Sequence, residues 1–167
     1  MKKRLIHDPK GHAHFITFSW YKRRRLLDEP RTRHIVVSVL ASQLLKQNGN
    51  CLGFVIMPDH VHALVRFPEQ GQLSFFMKQW KQRSSVHIKR VLKQIQTRYI
   101  EKINLNDPVW QRHYHSLNVF SEEKLIEKLK YMHNNPVGAG LANTPCAWPD
   151  SSARYYEQGK SVGVAIG

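Results

Sequence analysis

The sequence predicts an α+β protein, and three observations point to that class. Short runs of β-branched and aromatic residues alternate with longer stretches in which apolar residues recur at helical spacing. Their order is strand, helix, strand, strand, helix, strand, followed by one further helix. The two central strands are apolar along almost their whole length, which is typical of strands covered on both faces. This is the order of a ferredoxin-like βαββαβ sandwich with an additional C-terminal helix.

The first strand and first helix are predicted from the residues before Gly49. Residues 12–20, HAHFITFSW, form an apolar and aromatic run typical of a strand. Pro30 suits the first turn of a helix, and Gly49 suits its end. The apolar residues between them recur at helical spacing: Val36, Leu40 and Leu44.

The central hairpin follows directly. Cys51–Met57 and His60–Arg66 read as two short strands joined at Pro58-Asp59. Proline fixes its own φ and donates no backbone hydrogen bond, so it suits a corner between strands.

The second half of the chain supplies two helices and a fourth strand. Gln72–Gln96 is amphipathic, and Thr97–Asp107 is a polar connector. Val109–Phe120 supplies the fourth strand near its end. Ser121 caps a helix that runs to about Asn134, before Pro136 and Gly138. The predicted apolar arc of the long helix is Leu73, Phe76, Met77, Trp80, His87, Ile88, Val91 and Ile95.

Length and charge limit the classes of protein. The 167 residues fit one domain, 1–167, and we expect a loose tail from about residue 157. The net charge of +14 favours a polyanionic partner, most simply nucleic acid, with an anionic membrane surface as the alternative. No apolar stretch predicts a secretory signal or a membrane span. Cys51 and Cys146 form no ligand pattern, so we expect reduced, buried thiols in a cytoplasmic protein.

Two groups of basic residues are candidate DNA contacts. One group ends the first strand, and the other lies opposite the apolar arc of the long helix, which contains no acid. Basic clusters are usually only solvated, but such one-sided charge favours a surface that faces DNA or RNA. The residues are Lys22, Arg23, Arg24 and Arg25, then Lys78, Lys89, Arg90 and Lys93.

A histidine pair at the start of the second central strand is a candidate metal site. Residues two apart in a strand point to the same face, so His60 and His62 project side by side. Two other His-x-His pairs, His12/His14 and His113/His115, show that the spacing alone is weak evidence. His60 and His62 differ because they lie in an apolar run beside a tight turn, where buried imidazoles need partners.

Tyr131, on the helix after Ser121, is a candidate nucleophile. The packing stripe of this helix is predicted to be Leu125, Ile126, Leu129 and Met132, and Tyr131 lies off it. Lys124 and Lys128 are its neighbours on the helical wheel and favour the phenolate that a nucleophile needs. A surface or boundary tyrosine is the alternative. Asn135, four residues on, reaches the same side, and its amide oxygen suits Mg²⁺ or Mn²⁺.

Four motifs in this order, MPDHVHALV, VWQRHYH, KLKYMHNNPVGAGL and AWPDSSARYY, resemble the single-tyrosine HUH transposases, and within them the REP-associated tyrosine transposases. The resemblance spans roughly residues 12–156. It implies a ferredoxin-like fold, Mg²⁺ or Mn²⁺ held by His60 and His62 with Asn135 as third ligand, and Tyr131 as nucleophile.

The resemblance also implies an activity: single-stranded DNA, often flanked by hairpins, is cut through a 5′-phosphotyrosine intermediate and rejoined. Three alternatives stay open. They are another HUH nickase such as a relaxase or replication initiator, a non-catalytic nucleic-acid-binding module, and a domesticated relative that processes repeats. The sequence leaves a monomer and a homodimer equally open.

Overall fold

The computed structural model describes residues 13–95 and 98–167. The predicted start of the first strand at His12, the predicted end of the long helix at Gln96 and the start of the connector at Thr97 lie outside the described residues. The elements are β1 (Ala13–Ser19), α1 (Pro30–Lys46), β2 (Asn50–Ile56), β3 (His60–Arg66), α2 (Gln72–Leu92), α3 (Arg98–Glu101), β4 (His115–Val119), α4 (Glu122–Gly138) and α5 (Ala153–Gln158).

The four strands form one antiparallel sheet in the order β2-β3-β1-β4. β1 lies inside the sheet because it pairs with β3 along one edge and with β4 along the other. Together with α1 and α2, this arrangement confirms the predicted ferredoxin-like sandwich.

The two faces of the sheet carry separate cores, because alternate residues of each strand point to opposite sides. Ile16 and Phe18 of β1 face α1 and α2, where Trp80 is fully buried. Phe15 faces the other way and packs with Leu129 of α4. The helices therefore cover both faces, which accounts for the apolar runs in β2 and β3.

α4 lies close to β2 because Gly53 has no side chain. A Cβ at Gly53 would overlap the Leu129 side chain and approach Met132 Cε to 3.0 Å. Ser121 caps the helix, as predicted, by accepting a hydrogen bond from the Lys124 backbone N–H at 3.1 Å. The close approach fixes the height at which α4 holds its side chains above the sheet.

The outer edge of β2 is covered by the segment that contains the AWPDSS motif. Trp148 Nε1 donates to the Ile56 carbonyl, and the Ser152 backbone N–H donates to the Phe54 carbonyl, both at 2.9 Å. Buried Arg33 of α1 donates to the Asp150 carboxylate. In the fold, this motif joins α1 to the strand before the histidine pair.

Two predicted helical stripes need correction. His87 is exposed, because the buried line of α2 follows every fourth residue and includes Ser84 and Leu92 in its place. Ser84 accepts a hydrogen bond from Trp110 Nε1 at 2.9 Å, which explains a buried hydroxyl there. On α4, Ile126 is 40% exposed, so it is not part of the packing stripe.

The predicted end of α4 at about Asn134 is also wrong. The helix continues through Pro136 to Gly138. Pro136 is buried, and its carbonyl accepts the Leu141 backbone N–H at 2.9 Å, so packing outweighs the missing proline donor. Asn135 is therefore helical, one turn beyond Tyr131.

The remaining differences lie outside the main elements. The predicted polar connector contains the short helix α3, and Ile100, Ile103 and Leu105 pack against the core. The tail expected to be loose packs there too, through Val162, Val164 and Ile166. Both cysteines are free thiols, but only Cys51 is buried. No helix within residues 13–95 and 98–167 combines the length and apolar character needed to span a membrane.

Candidate active site

One row of side chains crosses the sheet on the face covered by α4. The strand register aligns Val55, His62, Thr17 and His115 across β2, β3, β1 and β4. The row runs from beneath α4 at Val55 to the exposed edge strand at His115. The sheet thus places the predicted histidine pair halfway along a surface that is covered at one end and open at the other.

His60 and His62 lie side by side, as the strand period predicts, with ring centroids 4.7 Å apart. Each ring is held through Nδ1. His60 Nδ1 lies 2.7 Å from Asp59 Oδ1, and His62 Nδ1 lies 2.8 Å from Thr17 Oγ1. Among the described residues, buried His62 Nε2 has no hydrogen-bond partner. A buried nitrogen without a partner is costly unless something outside the chain binds it.

The state of His62 suits a metal ligand. Burial, with smaller contributions from the nearby charges of His60, Arg23 and Lys128, lowers the pKa of His62 to about 3. The ring is therefore neutral near pH 7, and in the tautomer whose Nδ1–H donates to Thr17 the Nε2 lone pair is available for coordination. The two histidines fit a divalent metal ion on this chemistry.

A third protein ligand would have to be of another type. In the part of the chain that the structure describes, no group of three or more His, Cys, Asp or Glu residues is placed to hold a metal ion. Asn135 is half-buried on α4 and carries an amide oxygen, a ligand type that Mg²⁺ and Mn²⁺ accept. Its role as a ligand stays a prediction.

Tyr131 of α4 lies against His62. Its ring centroid is 5.5 Å from that of His62 and 6.1 Å from that of Phe15, and the residue is 52% exposed. The phenol is therefore next to the His62 ring and open to a large substrate at the same time.

The two lysines that sequence places beside Tyr131 have different surroundings. Lys128 Nζ lies 5.7 Å from the Tyr131 ring centroid and 5.0 Å from that of Phe15, within cation–π range of both. Lys124 Nζ instead bonds Glu127 at 2.9 Å. Lys128 is thus the cation that the fold brings to the site.

Other tyrosines are placed elsewhere. Tyr114, the main competitor in the sequence, packs against the core on the α1–α2 face. The Tyr99 hydroxyl accepts the Arg25 backbone N–H at 3.2 Å, and the Tyr156 hydroxyl donates to the Leu52 carbonyl. Within residues 13–95 and 98–167, Tyr131 is the only tyrosine in ring contact with His62.

The rival histidine pairs have different settings. His14 Nδ1 lies 3.0 Å from Asn118 Oδ1, and its partner His12 lies outside the described residues. His113 and His115 are both exposed. His115 nevertheless falls on the same row as His62, on the far side of Thr17.

Part of this face, along β1 and β4, is open. We call it the open strip and define it by Ser19, Thr17, His115 and Leu117, which share the α4 side of the sheet. Thr17 and Ser19 are half-buried, His115 is exposed, and Leu117 is 46% exposed. An extended chain lying on the strip would pass directly beside Tyr131 and His62.

The candidate DNA contacts are divided between two surfaces. Arg23, Arg24 and Arg25 are each paired with an acid, Asp59, Asp107 and Asp28 respectively. Lys22 Nζ lies 5.3 Å from the Tyr21 ring centroid. Lys78, Arg90 and Lys93 are exposed and Lys89 is half-buried, but α2 packs on the sheet face opposite the histidines. The fold does not bring the α2 group to the site.

The sequence did not predict the two residues that hold the histidine rings. Asp59 was interpreted only as a turn residue, although an acid directly before a candidate ligand histidine could have indicated such a role. Thr17 gives no signal, because its partner is 45 positions away and depends on the register of β1 with β3.

Two solved structures share this fold. One is described as a REP-associated tyrosine transposase bound to a REP hairpin; it matches with a TM-score of 0.69 and 16% identity, covering 100% of this chain and 92% of that one. The other, a candidate transposase from Deinococcus radiodurans R1, has a TM-score of 0.54 and 17% identity, covering 79% and 96%. At such low identity both show the fold alone.

The family to which the sequence belongs, rather than the fold alone, shows that this is a protein of the transposase class. The chain belongs to the IS200-like transposase family, whose model matches residues 9–135. That range contains His60, His62, Tyr131 and Asn135. No curated protein matches the chain in sequence.

Proposed function

We propose that this transposase-family chain is a metal-dependent single-stranded DNA transesterase that nicks and rejoins DNA through a 5′-phosphotyrosine. One observation carries the proposal. Half-exposed Tyr131 lies 5.5 Å, ring to ring, from His62, whose buried Nε2 has no partner among the described residues. A nucleophile of the right type is thus next to an unused metal-ligand atom.

His60, His62 and Asn135 would hold Mg²⁺ or Mn²⁺. When bound, such an ion supplies Lewis-acid charge that neutralises a phosphate. The protein's own contribution is to keep the His62 imidazole neutral, to hold both rings through Nδ1 and to present them from one stiff strand.

Tyr131 performs the covalent step. Its Oη forms a bond to phosphorus while the bond from phosphorus to the 3′ oxygen breaks, so the strand ends as a 5′-phosphotyrosine and a free 3′-OH. The phenol gives up one proton and the leaving oxygen takes one up, so the step balances. Lys128 places positive charge beside the phenol as it ionises. A later 3′-OH reverses the step and joins a new end without a further energy source.

Single-stranded DNA with hairpins is the proposed partner. Support comes from the net charge of +14, from the open strip beside Tyr131, and from the solved relative that is bound to a REP hairpin. His115 and Leu117 offer an imidazole and an apolar surface for bases along the strip.

A covalent-adduct assay tests the proposal. The protein is incubated with Mg²⁺ and a library of hairpin-bearing single strands, then run on a denaturing gel. We expect a DNA adduct that disappears in Tyr131→Phe, which removes only the hydroxyl, and in His62→Ala. Tyr114→Phe is the matched control and should retain the adduct.

Persistence of the adduct in Tyr131→Phe at the wild-type rate would place the nucleophile elsewhere. Binding of the library without any adduct in the wild type would favour the binding-module alternative.

A further inference from the structure

Asp59, the last residue of the β2–β3 turn, contacts a different side chain with each of its two carboxylate oxygens. Oδ1 lies 2.7 Å from His60 Nδ1, and Oδ2 lies 2.9 Å from Arg23 Nη2. Arg23 Nη1 in turn donates to Ser19 Oγ at 2.9 Å. A continuous polar chain therefore runs from β1 through Arg23 and Asp59 to the histidine.

The backbone that carries Arg23 is held in an unusual conformation. Lys22 and Arg23 are consecutive non-glycine residues with φ of 56° and 53°, in the left-handed region that L-residues rarely adopt. The Arg23 N–H bonds the Trp20 carbonyl, and the Trp20 N–H bonds the Asp59 carbonyl, both at 2.9 Å. The same short segment is thus tied to Asp59 through its backbone as well as its side chain.

The two histidines differ in what holds them. Thr17, which holds His62, is a neutral hydroxyl that can donate or accept. Asp59 is a carboxylate and accepts only, so in the neutral ring it requires the proton of His60 on Nδ1, which leaves Nε2 with a free lone pair. Of the two rings, His60 is therefore the one whose tautomer is set by a charged partner.

We propose that Asp59 and Arg23 are positioning residues for His60: Asp59 fixes its Nδ1–H tautomer and orientation, and Arg23 fixes Asp59. The inference rests on the metal site of the proposed function and deepens it. It also gives Arg23, which sequence groups with DNA contacts, a role that operates without DNA.

The test measures two properties of the protein without DNA. The first is Mn²⁺ affinity, read from the EPR signal of free Mn²⁺. We expect Asp59→Asn to weaken binding on the order of 10- to 100-fold, the usual effect of losing such a partner. Arg23→Gln should weaken it less, and Arg23→Lys should restore part of the loss. Arg31→Gln, which removes another exposed arginine paired with a carboxylate, Glu29, is the matched control and should bind as the wild type does.

The second readout is the tautomer of His60 in metal-free protein, read from the ¹⁵N shifts of its ring. We expect the Nδ1–H form in the wild type and a mixture in Asp59→Asn, whereas Thr17→Val should leave the His60 tautomer unchanged. Thermal unfolding verifies that each variant is folded.

Wild-type Mn²⁺ affinity together with an unchanged His60 tautomer in Asp59→Asn would overturn the inference and leave Asp59 as a turn residue. Wild-type Mn²⁺ affinity in Arg23→Gln would show that Arg23 is not a positioning residue for His60, and Arg23 would again be only a candidate DNA contact. Absence of Mn²⁺ binding by the wild-type protein overturns the metal site of the proposed function, while the His60 tautomer still decides the positioning by Asp59.

Discussion

His62 and His133 show how a candidate ligand and a structural side chain differ. Burial lowers the pKa of both His62 and His133, to about 3 and about 4. His133 Nε2 lies 2.8 Å from Ser152 Oγ, so its polar atom is used within the fold. His62 Nε2 has no such partner among the described residues. Burial is common to both rings, and the unused nitrogen is what marks the site.

Lys128 and Lys124 make a matched pair for testing charge at Tyr131. We expect Lys128→Met to slow adduct formation on the order of 100-fold, the usual effect of removing one preorganised charge-stabilising group. Lys124→Met should change the rate little, since Lys124 already bonds Glu127 at 2.9 Å. Single-turnover rates on a saturating DNA strand measure both, and equal rates for the two variants would contradict the role of Lys128.

His133 predicts a pH-dependent stability. Its folded pKa of about 4 lies below the value of about 6.5 in an unfolded chain. Between these pH values His133 binds a proton in the unfolded chain but not in the folded chain. The free energy of unfolding therefore falls as the pH falls from about 6.5 to about 4.

We expect His133 to contribute about 1–2 kcal/mol to this loss, because the ring is only partly shielded from water. His133→Gln can still bond Ser152 and does not titrate. Urea unfolding of metal-free protein at several pH values should show a shallower pH slope for His133→Gln than for the wild type, and parallel slopes would refute the assignment.

At the scale of the element, α4 is the part that turns a histidine pair into a candidate reaction site. It carries Tyr131 and Asn135 one turn apart, with Tyr131 against His62 and Phe15, while Leu129 and Met132 pack against the sheet. Gly53 of β2 sets its distance from the sheet. The position of Tyr131 therefore depends on a glycine in another element.

Gly53→Ala tests that dependence. The new methyl group would overlap Leu129, and such overpacking typically costs about 1–3 kcal/mol. We expect that loss of stability together with slower adduct formation, because α4 must move away from His62. Gly138→Ala, at the end of the same helix with nothing within 4 Å of its Cβ, is the control and should fold and react normally. Chemical unfolding and the adduct assay report the two effects, and a Gly53→Ala protein of wild-type activity would show that the height of α4 is not critical.

At the scale of the whole molecule, the sheet separates two surfaces. One face presents the open strip and the candidate site, and the opposite face is covered by α1 and α2. The exposed basic residues of α2 lie on this second side, whereas the net charge of +14 is that of the whole chain. On the proposed function, a short strand of DNA would occupy the first surface without reaching the second.

DNA length should therefore decide whether α2 contributes to affinity. We expect binding to weaken steeply with salt for any single strand, with a slope of about −0.7 per phosphate contacted. The triple variant Lys78→Gln/Arg90→Gln/Lys93→Gln should keep the wild-type slope on a strand of a few nucleotides and lose up to about 2 from it on a long hairpin-bearing strand. Fluorescence anisotropy at several salt concentrations gives the slopes, and a reduced slope on the short strand would contradict this division of the surface.

Local sequence patterns predicted the parts of the fold that local physics determines. The alternation in HVH placed His60 and His62 on one face, and Ser121 marked the start of α4. Pro136 misled, because its local preference for ending a helix is outweighed by burial at that position. Thr17 could not be found, since its contact depends on how two distant strands align. The setting of Lys128 likewise follows from the docking of α4, whereas Lys124 bonds Glu127 within the helix.

The pairing of β1 between β3 and β4 also has a consequence for synthesis. Its register joins residues that are far apart in the chain, Thr17 with His62 and Ala13 with Val119. Ribosomes add about 5–20 residues per second, so many seconds pass between the emergence of β1 and that of α4. A growing chain can pair β1 with β3, and so complete the histidine site, before Tyr131 has been made. On the proposed function, a nascent protein would hold its histidine pair in place before it has either Asn135 or Tyr131, so the metal site and the means to cut DNA would be completed together when α4 emerges.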